Sequence, residues 1–310
     1  MQTILGSGGI IATELARNLK DYTNEIRLVS RNPKKVNDSD ELFQADLTNP
    51  DEVFEALKGS EVVFVTIGFP YSAKDWQRLW PPFIRSVIAA CEEYQAKLVF
   101  FDNIYMYDPN RLDGMTEETP INPSSKKGRV RAEIAGTIME ASRKGKIKAL
   151  IARCADYYGP NIERNAILNE TVIKPLASGK KANWLGSLNF KHSFTYTRDA
   201  GKATVILGNT ESAFGQVWHL PTAKNPPSGK EWVNMVADSL GVEPKVQVAP
   251  KFLVGIIGWF NPIMKELHEM VYQYDRHYEF NSEKFERTFN YEPASYVEGL
   301  KETIKSDYGK

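Results

Sequence analysis

Three features of the sequence predict an α/β fold: a doubly wound parallel sheet of about seven strands with a small, mainly helical C-terminal lobe. Short apolar runs alternate with helical patterns through residues 1–220. One of these runs, EIRLVS (25–30), is nearly unbroken rather than alternating, as a parallel strand covered on both faces must be. The first run is followed at once by a glycine turn that opens a helix, which begins a βαβ unit of the expected length.

That first unit, MQTILGSGGIIATELARNL, reads as a strand from Gln2 to Leu5, then Gly6-x-x-Gly9-x-x-Ala12 with an extra Gly8, then a helix. Glycines there let backbone N–H groups approach a pyrophosphate, and the helix N-terminus adds partial positive charge. Gly6, Ser7, Gly8, Gly9 and Ile10 are therefore candidate cofactor-binding residues of a Rossmann-type domain. The second strand ends at Ser30-Arg31, with Lys34 and Lys35 behind. An acid at that place would hydrogen-bond a ribose 2′-hydroxyl, whereas an Arg accommodates a 2′-phosphate. NADP(H) is thus the preferred cofactor, NAD(H) the alternative; a solvated basic loop is the bland explanation.

The third strand is LFQAD (42–46), and Asp46-Leu47 at its end is placed to face an adenine. Thr48-Asn49-Pro50-Asp51-Glu52 is a complete helix start: a capping side chain, proline at the first helical position and two acids at the positive end of the dipole. The fourth strand, VVFVTIGFP, carries Thr66, Ile67 and Gly68 to its cofactor-facing end. A long helix over 75–94, perturbed by Pro81-Pro82, leads to the fifth strand in KLVFFDNIYMYDP. There the apolar run gives way to Asp102, Asn103, Tyr105 and Tyr107, polar groups at the carboxyl end of a parallel strand where ligands bind.

Composition narrows the function classes. The 310 residues are 42% hydrophobic, enough for a sizeable core, and 39 basic residues balance 39 acidic ones. That neutrality argues against nucleic acid or a membrane as principal partner, although a local patch can hide in it. Cys91 and Cys154 lie in apolar stretches, and the four histidines form no ligand cluster, so no metal site is expected and a reduced, cytoplasmic setting follows. The longest apolar run, 252–260, is too short to span a bilayer.

Taken in order, the glycine turn, Asp46-Leu47, VFFDNIYMYDP, Arg153-x-x-Asp156-Tyr157-Tyr158-Gly159-Pro160 and Phe194-x-Tyr196-x-x-Asp199 resemble the short-chain dehydrogenase/reductase superfamily. The pattern is similar to its extended branch, the NAD-dependent epimerase/dehydratase family, over residues 1 to about 220. The resemblance implies a nicotinamide cofactor and a small lobe over the substrate. It also implies a Ser or Thr four residues before Tyr107, then a Tyr-x-x-x-Lys pair on the next helix. Here Asn103 stands at the first position, Ser125 at the tyrosine and Arg129 at the lysine. Ser125 and Arg129 still share a helix face, which leaves Arg129 able to bind a ribose, but a serine hydroxyl is a far poorer proton donor than a phenol. Tyr105, two after Asn103, is the candidate donor in its place, with an aromatic wall as the alternative role. Lys126 and Lys127 are runner-up cations, or a solvated basic first turn.

In KIKALIARCADYYGP, a sixth strand and its exit loop where the resemblance implies nicotinamide and substrate contacts, Arg153, Asp156 and Tyr157 are candidates, with a satisfied turn before Gly159-Pro160 as the structural alternative; Asp102 and Tyr107 are further candidates for substrate contact. His192 is a further candidate, more readily explained as a packed or hydrogen-bonding residue than as a base. Residues 161–190 show little strand character and are expected to enter the substrate lobe. Residues 191–221 return to the Rossmann core of 1–160 with a seventh strand, and 222–310 complete the lobe with mainly helical patterns. KFLVGIIGWFNPIM reads as an apolar helix packed in that lobe, as a homodimer interface, or as part of the substrate mouth. Two functions are in view: an NADP(H)-dependent oxidoreductase or epimerase acting on a small carbonyl, alcohol or nucleotide-sugar substrate, and a catalytically degenerate cofactor-binding redox sensor.

Overall fold

A computed structural model describes residues 1–162 and 164–309. The strands, in chain order, are β1 (Gln2–Leu5), β2 (Ile26–Ser30), β3 (Glu41–Gln44), β4 (Val62–Val65), β5 (Lys97–Asp102), β6 (Ala149–Arg153), β7 (Asp156–Tyr158), β8 (Ala182–Leu185), β9 (Phe194–Tyr196), β10 (Val217–His219) and β11 (Val246–Ala249). The helices are α1 (Ile10–Leu19), α2 (Pro50–Leu57), α3 (Ala73–Tyr94), α4 (Lys126–Arg143), α5 (Lys174–Ala177), α6 (Thr197–Gly208), α7 (Gly229–Leu240), α8 (Lys251–Gly258), α9 (Pro262–His268), α10 (Glu283–Phe289) and α11 (Tyr296–Tyr308). The chain divides into two compact units, one of residues 1–106, 126–153 and 200–220, the other of 107–125, 154–199 and 221–310.

The first unit is built on a seven-stranded parallel sheet of order β10-β6-β5-β4-β1-β2-β3. The strand order reverses between β1 and β4, which opens a crevice at their carboxyl ends. Strands β1, β4 and β6 are buried at every position, as helices on both faces of the sheet require, and β4 (VVFV) is apolar throughout. Helix α2 starts as its sequence dictates: the Asn49 side chain accepts from the Asp51 N–H at 3.1 Å and Pro50 occupies the first turn. Helix α3 runs through Pro81 and Pro82 without ending, because Trp76, Trp80, Phe83, Ile84 and Val87 bury one continuous face.

The second unit holds two small parallel sheets, β11-β8 and β7-β9, and the remaining helices. The strand β8 corrects the expectation for 161–190. It is only four residues long, too short to show a period, and it exists through pairing with β11, distant in sequence. KFLVGIIGWFNPIM is not one packed helix but two, α8 and α9. Pro262 cannot continue a helix, and Asn261 caps the second by accepting from the N–H groups of Ile263 and Met264. Among the described residues no helix is long and apolar enough to cross a membrane, and no group of three His, Cys, Asp or Glu side chains is arranged to hold a metal.

Candidate cofactor site

The glycine turn joins β1 to α1. Gly6 and Gly8 have φ of +97° and +102°, a left-handed region that favours glycine. The Gly6 and Ser7 N–H groups both donate to the Val29 carbonyl, which fixes the turn against the end of β2. A Cβ on Gly6 would stand 2.4 Å from the Ile67 Cα, so the turn lies directly against the exit of β4. At Gly8 and Gly9, by contrast, an added Cβ would meet nothing within 4 Å. Both are exposed at the start of α1, and Ile10 is half-buried behind them. The buried Ser7 hydroxyl has no hydrogen-bond partner. An open space over two glycines, an orphaned hydroxyl and a helix N-terminus fit a pyrophosphate.

At the next strand end Ser30 is half-buried and Arg31 exposed, and the Arg31 guanidinium makes no hydrogen bond or ion pair among the described residues. Asp46 follows β3 and is exposed. Its carboxylate accepts from the Thr48 N–H at 3.0 Å and the Thr48 hydroxyl at 2.8 Å, bonds that hold it below its ordinary pKa, with Arg31 adding a smaller pull. Leu47 is buried beside it. Thr66, Ile67 and Gly68 lie just past the end of β4, and the Thr66 hydroxyl donates to the Leu5 carbonyl at 3.2 Å.

The carboxyl ends of β5 and β6 carry a buried charge cluster. Asp102 pairs in register with Arg153, whose Nε stands 3.4 Å from Oδ2, while Arg131 Nη1 stands 3.5 Å from Oδ1. All three are buried. Burial pushes the Asp102 carboxyl up, and the two guanidiniums oppose it. The Arg131 guanidinium also lies 4.8 Å and 4.2 Å from the rings of Trp76 and Trp80. Asp102 therefore faces two arginines of its own unit. Asn103 forms an Asx turn, accepting from the Tyr105 N–H at 3.0 Å, and the half-buried Tyr105 ring stacks on Trp76 at 6.2 Å.

At the start of α4, Lys126 and Arg129 are exposed, whereas Lys127 is fully buried, its Nζ 4.7 Å over the Tyr71 ring in the loop after β4. Among the first-turn cations it is Lys127 that the fold turns inward, a residue the sequence offered only as a runner-up.

The other candidates belong to the second unit. Ser125 is buried beside the Tyr272 hydroxyl, and Tyr107 is fully buried, its backbone bridged to Ile121. His192 is sandwiched between Tyr274 and Tyr278, at 4.4 Å and 4.2 Å and nearly parallel to both. Its Nε2 lies 3.1 Å from Asp156 Oδ2, which also accepts from the Tyr274 hydroxyl. His192 is thus a packed, hydrogen-bonded residue. Burial raises the Tyr157 hydroxyl well above its usual range, so it holds its proton at neutral pH. Tyr274 and Tyr278 escaped the sequence argument because YQYDRHY has no pattern that ties it to Asp156.

The fold has close counterparts among solved structures. UDP-glucose 4-epimerase of Thermus thermophilus, solved with NAD, is 16% identical, with 99% of this chain and 98% of that one covered and a TM-score of 0.78. DesIV of Streptomyces venezuelae, a dTDP-glucose 4,6-dehydratase solved as a double mutant with NAD, is 15% identical, with 98% and 96% covered and a TM-score of 0.81. UDP-glucuronic acid 4-epimerase of Bacillus cereus, also with NAD, is 17% identical, with 100% and 98% covered and a TM-score of 0.79. At these identities the likeness shows the fold alone. No curated protein matches the chain. The sequence profile of the NAD dependent epimerase/dehydratase family matches residues 3–218, more than half of the chain. With that match over residues 3–218, this chain belongs to the NAD dependent epimerase/dehydratase family.

Proposed function

We propose that the chain binds NADP(H) along the carboxyl ends of β1, β2 and β4 and acts as an oxidoreductase or epimerase on a nucleotide sugar or a small carbonyl or alcohol. The observation that carries this reading is the open space over Gly8 and Gly9 combined with the unpaired, exposed Arg31 after Ser30. When bound, the nicotinamide would give or take the hydride. The chain's own part is to seat the pyrophosphate on the turn, hold a 2′-phosphate with Arg31, and keep Lys127 as a buried cation beside the loop after β4. Tyr105 is the proposed proton donor. Nucleotide sugars enter because the UDP-glucose 4-epimerase and dTDP-glucose 4,6-dehydratase named above share the fold.

A second reading is favoured by one observation: a buried serine, Ser125, stands where the family has its tyrosine, and Arg129, at the lysine position, is exposed. On that reading the chain binds the cofactor and reports its redox state without turnover. Titration with NADPH and NADH, followed by single-turnover oxidation of bound NADPH against a panel of nucleotide-4-keto sugars and small carbonyls, separates the two. Binding with oxidation supports the enzyme. Binding without oxidation by any member of the panel supports the sensor, and failure to bind either nucleotide overturns both.

A further inference from the structure

Helices α8 and α9 form a hairpin whose apolar face is turned outward. Of the eleven large hydrophobic residues exposed among those described, six fall between Phe252 and Ile263, so the exposure is a single patch rather than scatter. Its corner is Trp259 and Phe260, 83% and 86% exposed, with Phe252, Ile256 and Ile263 on the flanks. The hairpin closes on itself through small residues: a Cβ on Gly258 would stand 3.0 Å from the Lys265 Cα, and one on Gly255 would stand 3.2 Å from His268 Nε2. Val254 is buried and Met264 packs against the core of the unit, anchoring the pair from below. The glycine side of the hairpin is therefore used for internal packing, and Phe252, Trp259, Phe260 and Ile263 are left mostly exposed.

We propose that this corner is a membrane-contact element that inserts into the interface of an anionic bilayer without crossing it. Charge selects that occupant. From Pro244 to Lys265 the chain has no acidic residue, and the next one, Glu266, is half-buried in α9, in a protein whose 39 acids balance 39 bases. Lys251 and Lys265, both exposed, bracket the apolar corner and make no ion pair among the described residues. An apolar face with tryptophan at its tip and lysines at its margins matches the layering of a headgroup region, where aromatic rings sit at the boundary and cations meet lipid phosphates. A second copy of the chain is the less suitable occupant, because a two-fold interface over this patch would gather Lys251 and Lys265 of both copies with no acidic residue of 244–265 to pair with them. Helix α8, at eight residues about 12 Å long, has the length to lie in the interface and not to span.

Co-sedimentation of the full chain with phosphatidylcholine vesicles, with and without phosphatidylglycerol, tests this. The expected result is binding to the anionic vesicles only, weakened by high salt, which shortens the screening length from about 10 Å to about 3 Å. A Trp259→Ser, Phe260→Ser double variant should lose at least about tenfold in partitioning, since each buried ring contributes on that scale. Lys251→Gln with Lys265→Gln should bring anionic vesicles down to the level of neutral ones. Far-UV circular dichroism and the thermal midpoint, unchanged in all variants, show that they fold. No binding to anionic vesicles, or binding that the aromatic variant leaves intact, overturns the proposal. So does a dimer in sedimentation velocity that the aromatic variant converts to a monomer, which would assign the patch to a second copy.

Discussion

Gly6 and Ile67 meet with no room for a side chain between them: a Cβ on Gly6 would lie 2.4 Å from one Ile67 backbone atom and 2.5 Å from another. Gly6→Ala combines that overlap with a left-handed φ, and should destabilise the fold by more than about 2 kcal/mol, read as a drop in the thermal midpoint. Gly9→Val, where nothing stands within 4 Å, should leave the midpoint nearly unchanged and remove cofactor binding. Unchanged nucleotide affinity in Gly9→Val would show that the pyrophosphate lies elsewhere.

Arg31→Ala should erase most of a preference for NADP(H) over NAD(H). A charge-assisted hydrogen bond to phosphate contributes about 1.5 to 3 kcal/mol, one to two orders of magnitude in affinity. Competitive titration of the unmodified protein and the variant measures it, and equal affinity for both nucleotides before mutation would remove the phosphate role of Arg31.

Tyr105→Phe should lower turnover by about 100- to 10,000-fold with cofactor affinity intact, if the phenol delivers the proton. The ring, stacked on Trp76, loses only its hydroxyl, so the thermal midpoint should hold. A change of less than about threefold, well below that range, would make Tyr105 a wall of the site. Lys127→Met, which keeps the length of the stem and removes the charge, should instead weaken nucleotide binding; unaltered binding would make its burial purely structural.

Cys91 and Cys154 should be inert to alkylation in the folded protein at pH 8 and react on unfolding. Burial pushes both thiols from 9.0 up to about 12, which cuts the thiolate fraction by about a thousandfold. Because the folded values are raised, the stability these protonated thiols contribute is fully present below about pH 9 and is lost as pH rises toward about 12. Iodoacetamide labelling followed by mass spectrometry reads the protection directly, and rapid labelling of either residue without denaturant would contradict its burial.

What was legible in the sequence was local. The strand, glycine turn and helix of residues 2–19, and the Asn49-Pro50 helix start, depend on neighbours in the chain, and they form where their residues dictate. The pairing of β8 with β11 depends on residues far apart in sequence, and four-residue strands carry too little pattern to announce it. Lys126 and Lys127 are chemically alike, and only the helix rotation of about 100° per residue set by packing decides that one is exposed and the other buried. The Asp102, Arg131 and Arg153 cluster was hidden for a related reason: a carboxylate at the end of β5 looks available to a ligand until the register with β6 supplies its partner.

The sheet of the first unit is completed late in the chain. Its outermost strand, β10, pairs with β6, yet residues 154–199 of the other unit come between them. During synthesis, six strands are therefore available while β6 still presents an unpaired edge, and that edge is the apolar run ALIAR. Open apolar edges recruit other chains. A fragment ending at residue 153 should be prone to aggregation even though it carries the whole glycine turn, and the seventh strand serves as a cover whose arrival ends that exposure.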